Sequence, residues 1–143
     1  MTGGCACGAV RYEISQPLIS ASYCHCTRCQ RRSGTAASAN GRTAPGSFAV
    51  VHGEEHLRSW VPDDGFEKVF CGRCGSALFS RSQPGDTASI GVRLGTLDRD
   101  PGIRPHWRTY IAYAAPWEAI PDDGLPRYEE RRPAPAGGPS APE

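Results

Sequence analysis

The sequence predicts an all-β fold, β-rich with little helix, on three grounds. Apolar residues alternate with polar ones in runs of about four to seven, the period of a half-buried strand. The chain contains 17 Gly and 13 Pro, which interrupt it every few residues and suit turns better than long helices. No segment sustains a 3.6-residue apolar repeat. With 143 residues, 38% of them hydrophobic, the chain has the length of one domain with a modest core, which metal cross-links would help to stabilise.

Taken in order, AVRYEI at 9–14, LISASYC at 18–24, SFAVV at 47–51 and HLRSWV at 56–61 read as strands. FEKVF at 66–70, ALFS at 77–80, TASIGV at 87–92 and WRTYIAY at 107–113 follow. Turns fall at Pro62-Asp63-Asp64-Gly65, Pro84-Gly85-Asp86 and Asp100-Pro101-Gly102. The expected single domain spans 1–130. From Arg131 the sequence RRPAPAGGPSAPE has little to bury, so 131–143 is expected to be a disordered tail.

The formal charge is +1, and of the 16 basic residues only Lys68 is lysine. That balance lacks the basic footprint of a nucleic-acid binder. No window approaches a membrane span, and the start MTGGCACGAV lacks the basic and apolar blocks of a signal peptide, so a cytoplasmic location is expected. In a reducing compartment, close pairs among seven cysteines, an odd number, read as metal ligands rather than as disulfides.

The cysteines fall into clusters of two, three and two: Cys5 and Cys7; Cys24, Cys26 and Cys29; Cys71 and Cys74. Two close pairs from distant segments complete the tetrahedron of a structural zinc, so Cys5 and Cys7 are expected to join Cys71 and Cys74. The central triplet can occupy three corners around a second ion. A position left open for water or substrate is the pattern of a catalytic zinc; a histidine from His52, His56 or His106 would instead close it. In an extended segment His25 points away from the face shared by Cys24 and Cys26. No Ser-His-Asp set, phosphate loop or carboxylate pair stands out, which removes the common hydrolases and nucleotide enzymes.

The stretches GGCACGAVRYEI, YCHCTRCQRRSG, FCGRCGSALF, GVRLGTLD and PHWRTYIAYAAPWEAIPDDGLPRYEE together resemble the glutathione-dependent formaldehyde-activating enzyme family, which includes centromere protein V. The resemblance runs from about Gly3 to Glu130. It implies a β-tent zinc fold similar to that of methionine-R-sulfoxide reductases and Rab-binding exchange factors. It implies two zinc ions per chain, a structural one on Cys5, Cys7, Cys71 and Cys74 and a catalytic one on Cys24, Cys26 and Cys29. The implied activity is that of a carbon–sulfur lyase joining formaldehyde to glutathione or a related small thiol. One departure is Gln30, where the family often has a basic residue after the third cysteine of the triplet.

Three thiolates and one zinc already carry a net −1, so positive neighbours are expected around the triplet. Arg28, Arg31 and Arg32 are the nearest, and their guanidinium forks also suit the carboxylates of glutathione. Among the late aromatics, Trp107, Tyr110, Tyr113 and Trp117 are candidates for pocket wall or core. The competing function is a non-catalytic zinc module that binds a thiol ligand or a macromolecule.

Overall fold

The structure is a computed structural model that describes residues 1–63 and 65–134. Among the described residues ten short strands form two sheets, eight of them falling on the alternating runs, and one short α-helix joins the third strand to the fourth. The smaller sheet has the order β1 (Thr2–Gly4), β2 (Arg11–Ile14) and β5 (Phe48–His52), all antiparallel. The larger has the order β10 (Arg108–Thr109), β3 (Ser20–Cys24), β4 (Ser38–Arg42), β9 (Ile90–Arg93), β8 (Ala77–Arg81), β7 (Glu67–Cys71) and β6 (Leu57–Trp60). Among the strand pairings of the described residues, only that of β10 with β3 is parallel.

The two sheets share a core to which each contributes inward-facing residues, with Leu78 added where the β7–β8 register shifts. Val10, Tyr12 and Ile14 come from the β2 region, and Val69, Leu78, Phe79, Ile90 and Val92 come from β7, β8 and β9. Phe48 of β5 joins them, its ring centroid 5.1 Å from Tyr12 and 4.7 Å from Phe79. Tyr12 is fully buried, and its hydroxyl is satisfied by Thr96 Oγ1 at 2.8 Å. Buried Glu67 pairs with Arg81. Burial alone would raise this carboxyl, yet the guanidinium beside it holds it below its usual range.

Four elements depart from expectation: the 107–113 run, helix α1 (Thr27–Ser33), β1 and β4. WRTYIAY was predicted as one strand over 107–113, but only Arg108–Thr109 pairs as a strand. Tyr110 is left-handed, with φ 56°, and Ile111–Tyr113 form a 3₁₀ turn. The competing partner is the C-terminal segment: Ile111 N–H donates to Tyr128 O and Tyr110 N–H to Glu130 O, both at 3.1 Å. Helix α1, which begins inside the central cysteine cluster, and strands β1 and β4 were not foreseen. Of the tail expected over 131–143, Arg132 lies 4.1 Å from the centroid of the Trp107 ring, and residues 135–143 lie outside the described residues.

Gly53, at the end of β5, has φ 76°, and a Cβ there would stand 1.7 Å from Ala9 O. Gly53→Ala is therefore expected to lower stability by at least about 2 kcal/mol, the sum of a left-handed backbone cost and a displaced β2 approach. Urea unfolding should show an earlier midpoint at unchanged slope. An unmoved midpoint would mean that the Ala9 segment yields freely.

Candidate functional site

The two sheets and their loops bring the seven cysteines into the two groups expected from their spacing. Cys5, Cys7, Cys71 and Cys74 form one group and Cys24, Cys26 and Cys29 the other, the sulfurs of each within 4.8 Å of one another. Among the described residues, no histidine, aspartate or glutamate joins either group.

In the first group the Sγ atoms of Cys5 and Cys7 are 3.5 Å apart, and those of Cys7 and Cys71 are 3.9 Å apart. A tetrahedral zinc with bonds of about 2.3 Å separates its sulfurs by about 3.8 Å, so the set fits that ion. Cys5 and Cys71 are buried, whereas Cys7 and Cys74 face solvent. Backbone turns hold the knuckles: Gly8 N–H donates to Cys5 O and Gly75 N–H to Cys71 O. Val10 N–H donates to Cys5 Sγ at 3.2 Å, and Ser76 Oγ lies 3.2 Å from Cys74 Sγ. The Ser76 contact draws the Cys74 thiol down to about 5.

The second group straddles the junction of β3 and α1. Cys24 ends β3, Cys26 is the N-cap of the helix, and Cys29 lies one turn on, its N–H directed at Cys26 Sγ at 3.4 Å. So close together, the three sulfurs cannot all ionise independently. Cys26, bonded by Cys24 and Cys29, is pulled down to about 2, while Cys24 is driven upward by the same neighbours. Such a set favours a cation that would accept all three as thiolates.

His25 turns away from the sulfurs, as the extended geometry predicts. It is buried, and its Nε2 lies 3.2 Å from Arg108 Nη1. Arginine can only donate, so Nε2 accepts and the ring proton sits on Nδ1. Arg108 in turn binds Asp123 Oδ2 at 2.6 Å and stacks 4.4 Å from the Tyr23 centroid. This chain of contacts fixes the turn between two cysteines of the triplet. Gln30, the departure noted above, adds to it by donating to His25 O at 2.6 Å and Tyr113 O at 2.8 Å.

A cavity of about 260 Å³ opens over the triplet. Arg28, Phe66, Lys68, Tyr110, Tyr113 and Arg131 line it together with the three cysteines. Of the three expected arginines, Arg28 is at the wall, 5.8 Å from the Trp60 ring centroid. Arg32 is half-buried, with Nη1 sealed from water and lacking a hydrogen bond, and its guanidinium is lowered to about 10 by burial and by Arg93. Arg31 is exposed and does not line the cavity. Of the late aromatics, Tyr110 and Tyr113 line the cavity, while Trp117 is 67% exposed. His52 and His106 are exposed, and His56 pairs with Glu55.

Lys68 and Arg93 were not foreseen. Lys68 is only 4% exposed, and burial followed by repulsion from Arg93 lowers it to about 8. Arg93 is also buried and donates to Asn40 Oδ1. The positive surroundings required by a thiolate-rich centre thus come from β7, β9 and α1 jointly. The unusual lysine in an arginine-rich sequence was the available signal.

Residues 1–113, which include every cysteine, match the family described as glutathione-dependent formaldehyde-activating enzyme. The chain belongs to that family. A protein of Halomonas elongata, provisionally named a glutathione-dependent formaldehyde-activating enzyme, is 34% identical over 85 residues, which cover 55% of this chain. The match spans about half of that relative, 54% of its length. A crystal structure of a Rhodobacter sphaeroides protein shares the fold, with a TM-score of 0.57 and 23% identity over 90% of this chain and 99% of that one. Among the described residues no helix is long and apolar enough to cross a membrane. The two sulfur groups could each hold a metal ion, consistent with zinc.

Proposed function

We propose that the chain binds two zinc ions, one on Cys5, Cys7, Cys71 and Cys74 and one on Cys24, Cys26 and Cys29. The proposed reaction joins formaldehyde to glutathione or a related small thiol; its reverse is a carbon–sulfur lyase reaction. The observation that carries this reading is the three-sulfur floor of a cation-lined cavity, separate from a complete four-sulfur set.

A zinc ion on the triplet would supply Lewis acidity and an open coordination position. The chain's own residues prepare the surroundings. Arg32, Lys68 and Arg93 offset thiolate charge, which favours the ionised form of an incoming thiol over its usual pKa of about 8.5. Arg28 and Arg131 at the cavity wall suit substrate carboxylates. Phe66, Tyr110 and Tyr113 give the small carbonyl a wall of low polarity.

Formaldehyde and thiols combine in water unaided, so the test is a rate at equilibrium. Exchange spectroscopy on mixed glutathione and formaldehyde is expected to show interconversion accelerated at least tenfold by micromolar zinc-loaded protein. An unchanged rate with two zinc ions bound and glutathione retained would overturn the enzyme reading and leave a thiol-binding zinc module.

A further inference from the structure

Lysine is nearly absent from this chain. Of its 16 basic residues only Lys68 carries an amine, and that amine is not on the surface, where lysines ordinarily lie. Lys68 is 4% exposed on β7, lines the cavity over Cys24, Cys26 and Cys29, and holds Nζ 5.7 Å from the Phe66 ring centroid. Burying an ammonium is costly, and the nearby positive charges of Arg93, Arg32 and Arg28 add to the cost, while the Cys29 sulfur offsets part of it. A merely structural position on β7 would be better served by an apolar residue. A further basic anchor for a carboxylate would be better served by arginine, which the chain uses at every other basic position. Lysine differs by being a compact donor that can also give up its proton.

We propose that Lys68 is a catalytic residue that binds the carbonyl oxygen of the aldehyde and gives it a proton as the carbon–sulfur bond forms. The proposal rests on the reading of the cavity as the site where thiol and formaldehyde meet. In the forward step the thiolate lone pair forms the bond to carbon, and the carbonyl π pair moves to oxygen. The Lys68 ammonium proton then passes to that oxygen, giving the hydroxymethyl thioether and a neutral amine. The amine recovers from solvent the proton that the thiol lost on ionising, so no other reactant is required. In reverse, the neutral amine takes the hydroxyl proton as the carbon–sulfur bond breaks.

The solitary amine makes the test direct. Native zinc-loaded protein treated with dilute formaldehyde and cyanoborohydride acquires methyl groups only on amines, here Lys68 and the N-terminus. Peptide mass spectrometry is expected to show Lys68 methylated, with S-methylglutathione, a thioether that cannot react, slowing that labelling at least tenfold and leaving the N-terminus unchanged. Lys68→Gln is expected to retain two zinc ions and to bind glutathione within about threefold of the unsubstituted protein, while exchange slows by about 10²-fold. Lys68→Arg, which keeps the charge but cannot release a proton, is expected to recover less than a tenth of the loss.

Labelling of Lys68 that the thioether does not affect would overturn the proposal, whether or not the variants fold. So would full exchange by Lys68→Gln. If the unsubstituted protein itself fails to accelerate exchange, the enzyme reading fails instead; an active unsubstituted protein with an equally active Lys68→Gln defeats the role of Lys68 alone.

Discussion

Cys71→Ser is expected to yield a chain that does not fold. Cys71 is completely buried at the end of β7, where it pairs with Leu57 of β6, and its sulfur stands 3.9 Å from that of Cys7. With the proposed zinc in place, this contact ties the small sheet to the large one across a separation of 64 residues. The free energy of such a site is folding free energy, because no preformed site exists in the unfolded chain. Structural zinc contributes roughly 10–16 kcal/mol in small domains, as much as or more than the ~5–15 kcal/mol net stability of an ordinary one. Serine offers a hydroxyl where thiolate is required and leaves it in an apolar core beside Leu78 and Phe79. The purified variant should lack amide dispersion and a cooperative thermal transition, and prolonged chelation should bring the unsubstituted protein to the same state. A variant that melts cooperatively within about 2 kcal/mol of the original would show that the core, not the metal, holds the sheets together.

The elements that the sequence disclosed are those whose cause is local. The division of the cysteines was legible because each cluster lies within six residues, and separations that short leave the sulfurs few places to go. A strand with one buried face, such as β2, was legible from alternation. Strand β4, SANGR, was not, because it is an interior strand without apolar alternation. Its Gly41 leaves room that a Cβ would take from Leu18 and Leu94, at 2.6 and 2.7 Å, so tertiary crowding selects a residue with weak strand propensity. At 107–113 the pattern was present, but hydrogen bonds to residues 126–130 redirected it.

The cavity wall was legible only in part: Arg28, Tyr110 and Tyr113 were candidates, but Lys68 and Arg131 were not. Arg28, Lys68 and Arg131 come from α1, β7 and the C-terminal segment, and no spacing along the chain announces that they meet. Proximity in sequence to the triplet singled out Arg31, but that side chain stands on the exposed side of a seven-residue helix. At about 100° per residue Arg32 stands roughly 40° to one side of Arg28 around the helix and Arg31 roughly 60° to the other, so Arg32 turns toward the interior while Arg31 diverges from it by about 100°.

Cys26→Ser should separate the two proposed metals with little damage to the fold. Cys26 has a second role as N-cap of α1, where its sulfur receives the Cys29 N–H. Serine preserves and improves this role, being a preferred N-cap residue, while it weakens the ligand set that zinc would need. The variant is therefore expected to fold and to melt close to the original, yet to carry one zinc ion instead of two. Alanine removes cap and ligand together, so Cys26→Ala should lose the same ion and in addition about 1 kcal/mol of stability, a drop in melting temperature of about 2–8 °C. Loss of activity should be the same for both, at least about 10²-fold, since even partners that only orient metal ligands are worth about 10–100-fold. Metal content by elemental analysis, melting temperature and exchange rate distinguish the possible failures. Two retained zinc ions would show that the triplet does not hold the second ion through Cys26. Unfolding of Cys26→Ser with loss of both ions would show one interdependent metal cluster, and normal exchange by a one-zinc variant would place the chemistry away from the triplet.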